Sequence, residues 1–184
     1  MTGRGGRRAW GAGVALAAVV LAVSACGSIE DAGRSFPVGS VGPAKTVSPA
    51  VDLTRAELVR VLRAHNLQLG DTQVPVRKAE SPLLVDAARA VYQVILPKDP
   101  SKGYVVVYEF SDPTHAASAA AEQQVYLASG PGRVQTPQGT ITVIRQVGST
   151  VVLYDWLPGA AQDPSAPDVQ TALEELGIGF PVAP

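Results

Sequence analysis

Two carboxylates have the setting for chemistry. Glu109 lies near the end of the run Val105-Val106-Val107-Tyr108-Glu109-Phe110. Asp155 holds the matching place in Val151-Val152-Leu153-Tyr154-Asp155-Trp156. If both runs are strands ending at one level on one face, the two acids flank a common site. Carboxyl groups ~5–9.5 Å apart can perform acid–base work on a glycosidic bond, and such a pair can also hold a cation. Arg145, on the preceding β-type run, is a natural ion-pair partner that would make the site structural. The alternative is a pair of solvated acids at strand ends. Glu109, Asp155 and Arg145 therefore define a speculative recognition face, and no residue is assigned a catalytic role.

Other chemistries lack their residues. There are two histidines and one cysteine. His65 falls at a helix end, where an imidazolium suits the dipole, and His115 falls in a first helical turn. Neither lies in a zinc-ligand spacing, so no metal site is expected. No Gly-x-Ser-x-Gly elbow, Ser-x-x-Lys or P-loop occurs, and no cofactor is expected. Gly130-Pro131-Gly132-Arg133 reads as a rigid loop after a helix C-terminus, the wrong end for an anion.

The lone cysteine is more informative. Arg4, Arg7 and Arg8 precede an uncharged run from Ala9 to Ala25, apolar but for Gly11, Gly13 and Ser24. That run is shorter than the ~18–20 residues of a spanning helix. It ends in Val23-Ser24-Ala25-Cys26, which resembles the lipobox of a bacterial lipoprotein, with Val where Leu is commoner. The resemblance covers residues 1–26. It implies a diacylglyceryl thioether on Cys26, cleavage before Cys26 and a lipid anchor outside the cytoplasm. Two acyl chains suffice for stable anchoring at about 0.8 kcal/mol per buried CH₂. An ordinary secretory signal cut after Ala25 and an uncleaved anchor are the alternatives. Arg7-Arg8 lacks the flanking residues of a twin-arginine signal.

Composition changes once the leader is set aside. The whole chain has 184 residues, 15 Lys+Arg and 16 Asp+Glu, for a net charge of −1. Removing three leader arginines leaves twelve cations against sixteen acids, a net of −4. That balance disfavours electrostatic adhesion to nucleic acid or anionic lipid. The length suits one folded domain. The segments are a signal peptide at 1–25, the lipidated Cys26 with a tether to 52, and a domain over 53–184. A flexible tether of that length spans about 25–30 Å, although Ile29, Phe36 and Val38 could instead pack on the domain.

The elements that must position the acids follow from local pattern. Thr54 and Glu57 have capping-box spacing, flanked by Leu53 and Leu58 as a hydrophobic staple. They predict a helix over 54–65, ended by Asn66 in the left-handed region. Val74-Pro75-Val76 reads as an edge strand, and Ser81-Pro82 opens a short helix reaching Arg89. Residues 91–96 and 104–110 form a hairpin. Asp112-Pro113 starts an alanine-rich helix that Gly130 stops. Residues 141–147 and 150–157 flank the tight turn Gly148-Ser149. Val169, Ala172, Leu173 and Leu176 mark a last helix closed by Gly177, with a surface tail beyond.

This order predicts an α+β fold with one mostly antiparallel sheet of four to five strands. Two or three helices cover one face, leaving the other for recognition. The likeness of the two hexamers suggests a ββα pseudo-repeat. The aromatic stripe of each hexamer is core, with sugar or apolar-ligand binding as the alternative. Beyond its leader, the chain resembles only small uncharacterised envelope lipoproteins. The expectation is a membrane-anchored, non-enzymatic binding or accessory domain for a small molecule or an envelope protein. The alternatives are a small cell-envelope hydrolase using Glu109 and Asp155, or a structural envelope protein pairing through a sheet edge.

Overall fold

A computed structural model describes residues 48–182. The expected leader, Cys26 and most of the expected tether lie outside those residues. The first helix, α1 (Pro49–Ala64), begins inside the stretch read as tether. Ser48 is its cap, accepting from Val51 N, and Pro49 opens the first turn. The Thr54–Glu57 capping box is therefore incorrect. Thr54 lies inside the helix, where its hydroxyl donates to Ala50 O and meets Thr150 Oγ1 at 2.7 Å. Leu53 is exposed and staples nothing, whereas Leu58 is fully buried. Proline at the first turn competes well with a Thr cap, because it lacks the N–H that a cap would satisfy. Asn66, with φ 59°, does end the helix. Leu67 N then closes back on Leu62 O at 2.9 Å.

After α1 come β1 (Leu69–Asp71), α2 (Pro82–Asp86), β2 (Ala88–Val94) and β3 (Tyr104–Glu109). Then follow α3 (Pro113–Ala128), α4 (Gly130–Gln135), β4 (Ile141–Val147), β5 (Thr150–Trp156), a short 3₁₀ turn, α5 (Ala166–Glu174) and β6 (Ile178–Gly179). The fold is α+β. Its single open antiparallel sheet has six strands in the order β1-β2-β3-β5-β4-β6, more than the four to five expected. The described residues hold five α-helices in place of the expected two or three. The additions are short: β1 has three residues, β6 has two and α4 has six. Too few residues repeat in such elements for periodicity to register. Val74-Pro75-Val76 forms no strand. The predicted loop at 130–133 is the start of α4, where a Cβ on Gly132 would lie 2.2 Å from Tyr126 O. The tail is drawn into the sheet as β6, and Phe180 N continues the pairing to Ile144 O.

Helices cover both faces of the sheet, not one. On one face, α1 and α5 pack Leu58, Val61, Leu62, Val169 and Leu173 against Val105, Val107, Val152 and Tyr154. On the other, α2 and α3 set Leu84, Ala116, Ala119 and Ala120 on Val106, Tyr108, Val151 and Leu153. The alanine-rich helix suits this second face, since small side chains bring its axis close to the sheet.

The two hairpins meet through their second strands, β3 and β5. Their ladder pairs Val106 with Leu153 and Val107 with Val152. Paired residues share a face, so Val106 and Val152 face opposite ways. A register slip of one residue inverts every side chain. Tyr108 and Tyr154, equivalent in the sequence echo, thus enter different cores. Helices α3 and α5 also lie on different faces. The ββα pseudo-repeat is therefore a likeness of two strands, not a repeated unit of structure.

Candidate functional site

The register also separates the two named acids. Glu109 lies beside Thr150, five positions along the ladder from Asp155. At about 3.3 Å per residue this places them about 17 Å apart along the sheet. They point to opposite faces as well, Glu109 with Val105 and Val107, Asp155 with Val151 and Leu153. Acid–base work across one substrate by this pair is therefore excluded by distance. Arg145 joins neither acid. Its guanidinium donates to Leu176 O at 2.6 Å and Gly177 O at 3.0 Å. A fixed cation there satisfies orphan carbonyls after α5 and complements its dipole. Glu109, Asp155 and Arg145 do not form one recognition face.

Each acid instead borders a separate cavity. Glu109 lines one of about 310 Å³, with Arg89, Tyr92, Asp71 and Ser48. Asp155 lines one of about 260 Å³ at the opposite end of β5. The second has the denser chemistry. Its walls include Tyr104, Tyr154 and Trp156, and its polar groups include Lys78, Asp155, Lys102 and Thr140.

Lys78 is the central group, and no periodicity or motif marked it. The side chain is 7% exposed and its ammonium donates to Asp155 Oδ1. Its Nζ also sits 5.9 Å from the centre of the Tyr154 ring, within reach of a cation–π attraction. Burial lowers its pKa from the usual lysine value to about 8. A charged amine out of water is costly, and a carboxylate partner is what makes it tolerable. Burial, followed by the nearby charge of Asp99, raises the pKa of the Tyr154 phenol.

The irregular segment bearing Lys78 is held by α3. Gln123 is fully buried within that helix. Its amide donates to Ala79 O and its carbonyl accepts from Ser81 N, both at 2.6 Å. The next acid, Glu80, faces a different network, accepting from Arg89 and from the Tyr108 hydroxyl at 2.8 Å. Two loops form the cavity rim and latch reciprocally. Asp99 accepts from Gln162 N and Asp163 N at 2.7 Å, while Asp163 accepts from Lys98 N and Ser165 N at 2.9 Å. The backbone donors hold the Asp163 carboxyl below the usual acid range. Trp156 is oriented through Nε1 donation to Gln170 Oε1 at 3.1 Å.

Two threonine hydroxyls flank the ion pair without a protein partner. Thr140 Oγ1 is buried at the cavity wall, and Thr136 Oγ1 at a void of about 10 Å³ behind Lys78.

The histidines take structural places. His65 bridges α1 to Glu175 at 2.7 Å, and His115 contacts its own cap, Asp112. Among the described residues, no three metal-ligating side chains gather and no helix is long and apolar enough to cross a membrane. No family model, curated protein or solved structure matches the chain.

Proposed function

We propose that this chain is a lipoprotein anchored through Cys26 to the outer face of a cell membrane. Its domain is a non-enzymatic binding or accessory module. The ligand is a small molecule seated in the cavity bordered by Lys78, Asp155, Tyr104, Tyr154 and Trp156. The observation that carries the reading is the combination of aromatic walls with a buried ion pair. Small-molecule sites have this character, apolar surface with a few convergent polar groups. The short edge strands favour it over a strand-adding envelope partner, because two or three residues present little backbone for pairing.

Cys26→Ser tests the anchor. It should abolish fatty-acid labelling and leave a slower-migrating precursor, whereas unchanged labelling removes the lipid reading. The cavity has its own reporter. The chain has two tryptophans, Trp10 in the leader and Trp156 at the cavity. In a Trp10→Phe background, titration with benzyl alcohol should shift Trp156 emission saturably, and Tyr154→Ala should weaken the response. A linear, non-saturating response in both proteins sinks the cavity as a binding site.

A further inference from the structure

We infer that the cavity captures carbonyl compounds, aldehydes above all, through a reversible Schiff base on Lys78. The inference rests on the cavity reading above and names the chemical class of its ligand.

Three observations carry it. First, the amine is placed for attack rather than for solubility. Lys78 lines both the open cavity and a small void, and its nitrogen lies between the Asp155 carboxylate and the ring of the cavity-lining Tyr154. Second, its partner can move protons. Loss of the ammonium proton to water leaves a neutral amine beside the Asp155 carboxylate, which can accept protons and return them. Low polarity around the amine favours that neutral form, consistent with a pKa near 8. Lysines made nucleophilic by desolvation in apolar pockets are established Schiff-base formers. Third, the walls suit a carbonyl with an apolar body. Tyr104, Tyr154 and Trp156 line the cavity together with Leu96 and Leu157.

The step balances without an added oxidant or reductant. The neutral Lys78 nitrogen attacks the carbonyl carbon, forming the C–N bond as the C=O π pair moves to oxygen. Transfer of an N–H proton to that oxygen gives a carbinolamine. Solvent water protonates the departing hydroxyl, the C–O bond breaks and water leaves, and the hydroxide so formed is neutralised by the proton that Asp155 next takes from the nitrogen. The remaining iminium is paired with the Asp155 carboxylate, and loss of its N–H proton to that oxygen gives the neutral imine. Hydrolysis reverses every step. The other charged groups lining the cavity are Asp99 and Lys102. Asp99 is committed to two backbone N–H donors, and Lys102 is exposed. Glu80, two residues on, is engaged by Arg89 and Tyr108. Asp155 is thus the acid placed for the proton transfers.

The chain has four lysines, Lys45, Lys78, Lys98 and Lys102, so selectivity can be read directly. The full chain is incubated with benzaldehyde and cyanoborohydride from pH 6 to 10, and each lysine peptide is followed by mass. Lys78 should be alkylated at least ~tenfold faster than the exposed Lys98 and Lys102 at pH 8, since an ordinary lysine titrates near ~10.4. Its rate should level off above about pH 8 while theirs keep rising. Lys78→Arg should remove the fast phase alone. Labelling of Lys78 no faster than its neighbours overturns the inference. Benzyl alcohol, lacking the carbonyl, separates the two proposals. Saturable binding of the alcohol without fast Lys78 labelling refutes the Schiff base and leaves the cavity standing. Absence of both refutes both.

Discussion

Tyr108 and Tyr154 occupy equivalent places in two similar strands, yet they border opposite kinds of polar site. Tyr108 closes a sealed network. Its hydroxyl and the Arg89 guanidinium both donate to Glu80, whose side chain is 3% exposed, and Arg77 approaches at 3.8 Å. Burial and the Glu80 carboxylate keep the Tyr108 phenol protonated far above neutral pH. Tyr154 borders an open site, where Lys78 meets one carboxylate that is 32% exposed, and a cavity begins beside them. One member of each pair, Glu80 and Lys78, comes from the same short segment, Arg77-Lys78-Ala79-Glu80. A buried charge with all its partners is part of the scaffold. A buried charge with a single, half-hydrated partner is available to something else.

That contrast has measurable consequences. The largest effect is expected at the sealed site. Arg89→Ala leaves the Glu80 carboxylate buried without its main cation, which should cost about 3–5 kcal/mol in denaturant unfolding. A loss below about 1 kcal/mol would erase the distinction. Tyr108→Phe removes one donor to the same carboxylate and should cost about 1–2 kcal/mol. Lys78→Met is the opposing case. It removes a desolvated ammonium and leaves Asp155 able to hydrate, so stability should stay within about 1 kcal/mol of the parent or rise. A loss as large as that of Arg89→Ala would make the open pair a structural one.

The smallest effect is a pH dependence. Lys78 titrates at about 8 when folded, against the ordinary lysine value of 10.5. Between those values the unfolded chain binds the extra proton, so this group adds stability as pH rises through that window. Its contribution is complete above the unfolded value and is lost as pH falls through 8. The parent should therefore gain stability relative to Lys78→Met across that range, as read by urea titration at each pH. Parallel curves would mean that Lys78 is solvated like any surface lysine.

Much of the scaffold was legible because it follows from local chemistry. Asp112-Pro113 announced α3, and Asp112 does accept from Thr114 N and His115 N. Gly148-Ser149 announced the β4–β5 turn, where Gly148 has φ 56°. The four long strands declared themselves by β-branched and aromatic content. The start of α1 was misplaced because two caps competed, and Ser48 with Pro49 prevailed over Thr54. The site was not legible. Lys78 sits in an irregular stretch between Val76 and Ser81, where no period identifies a buried face. Its burial depends on Gln123, 45 positions later, and on Asp155, 77 positions later.

The sequence by itself therefore determined the long helices and strands, through caps, turn residues and alternation that act within a few residues. It also carries the contiguous motif ending at Cys26 on which the proposed lipid anchor rests. Only the tertiary structure decided which side chains share a face. Alternation orders residues within one strand but leaves the parity between strands open, and that parity is set by how β3 and β5 bury their two apolar faces at once. That one-residue choice separated Glu109 from Asp155 and gave Asp155 to Lys78.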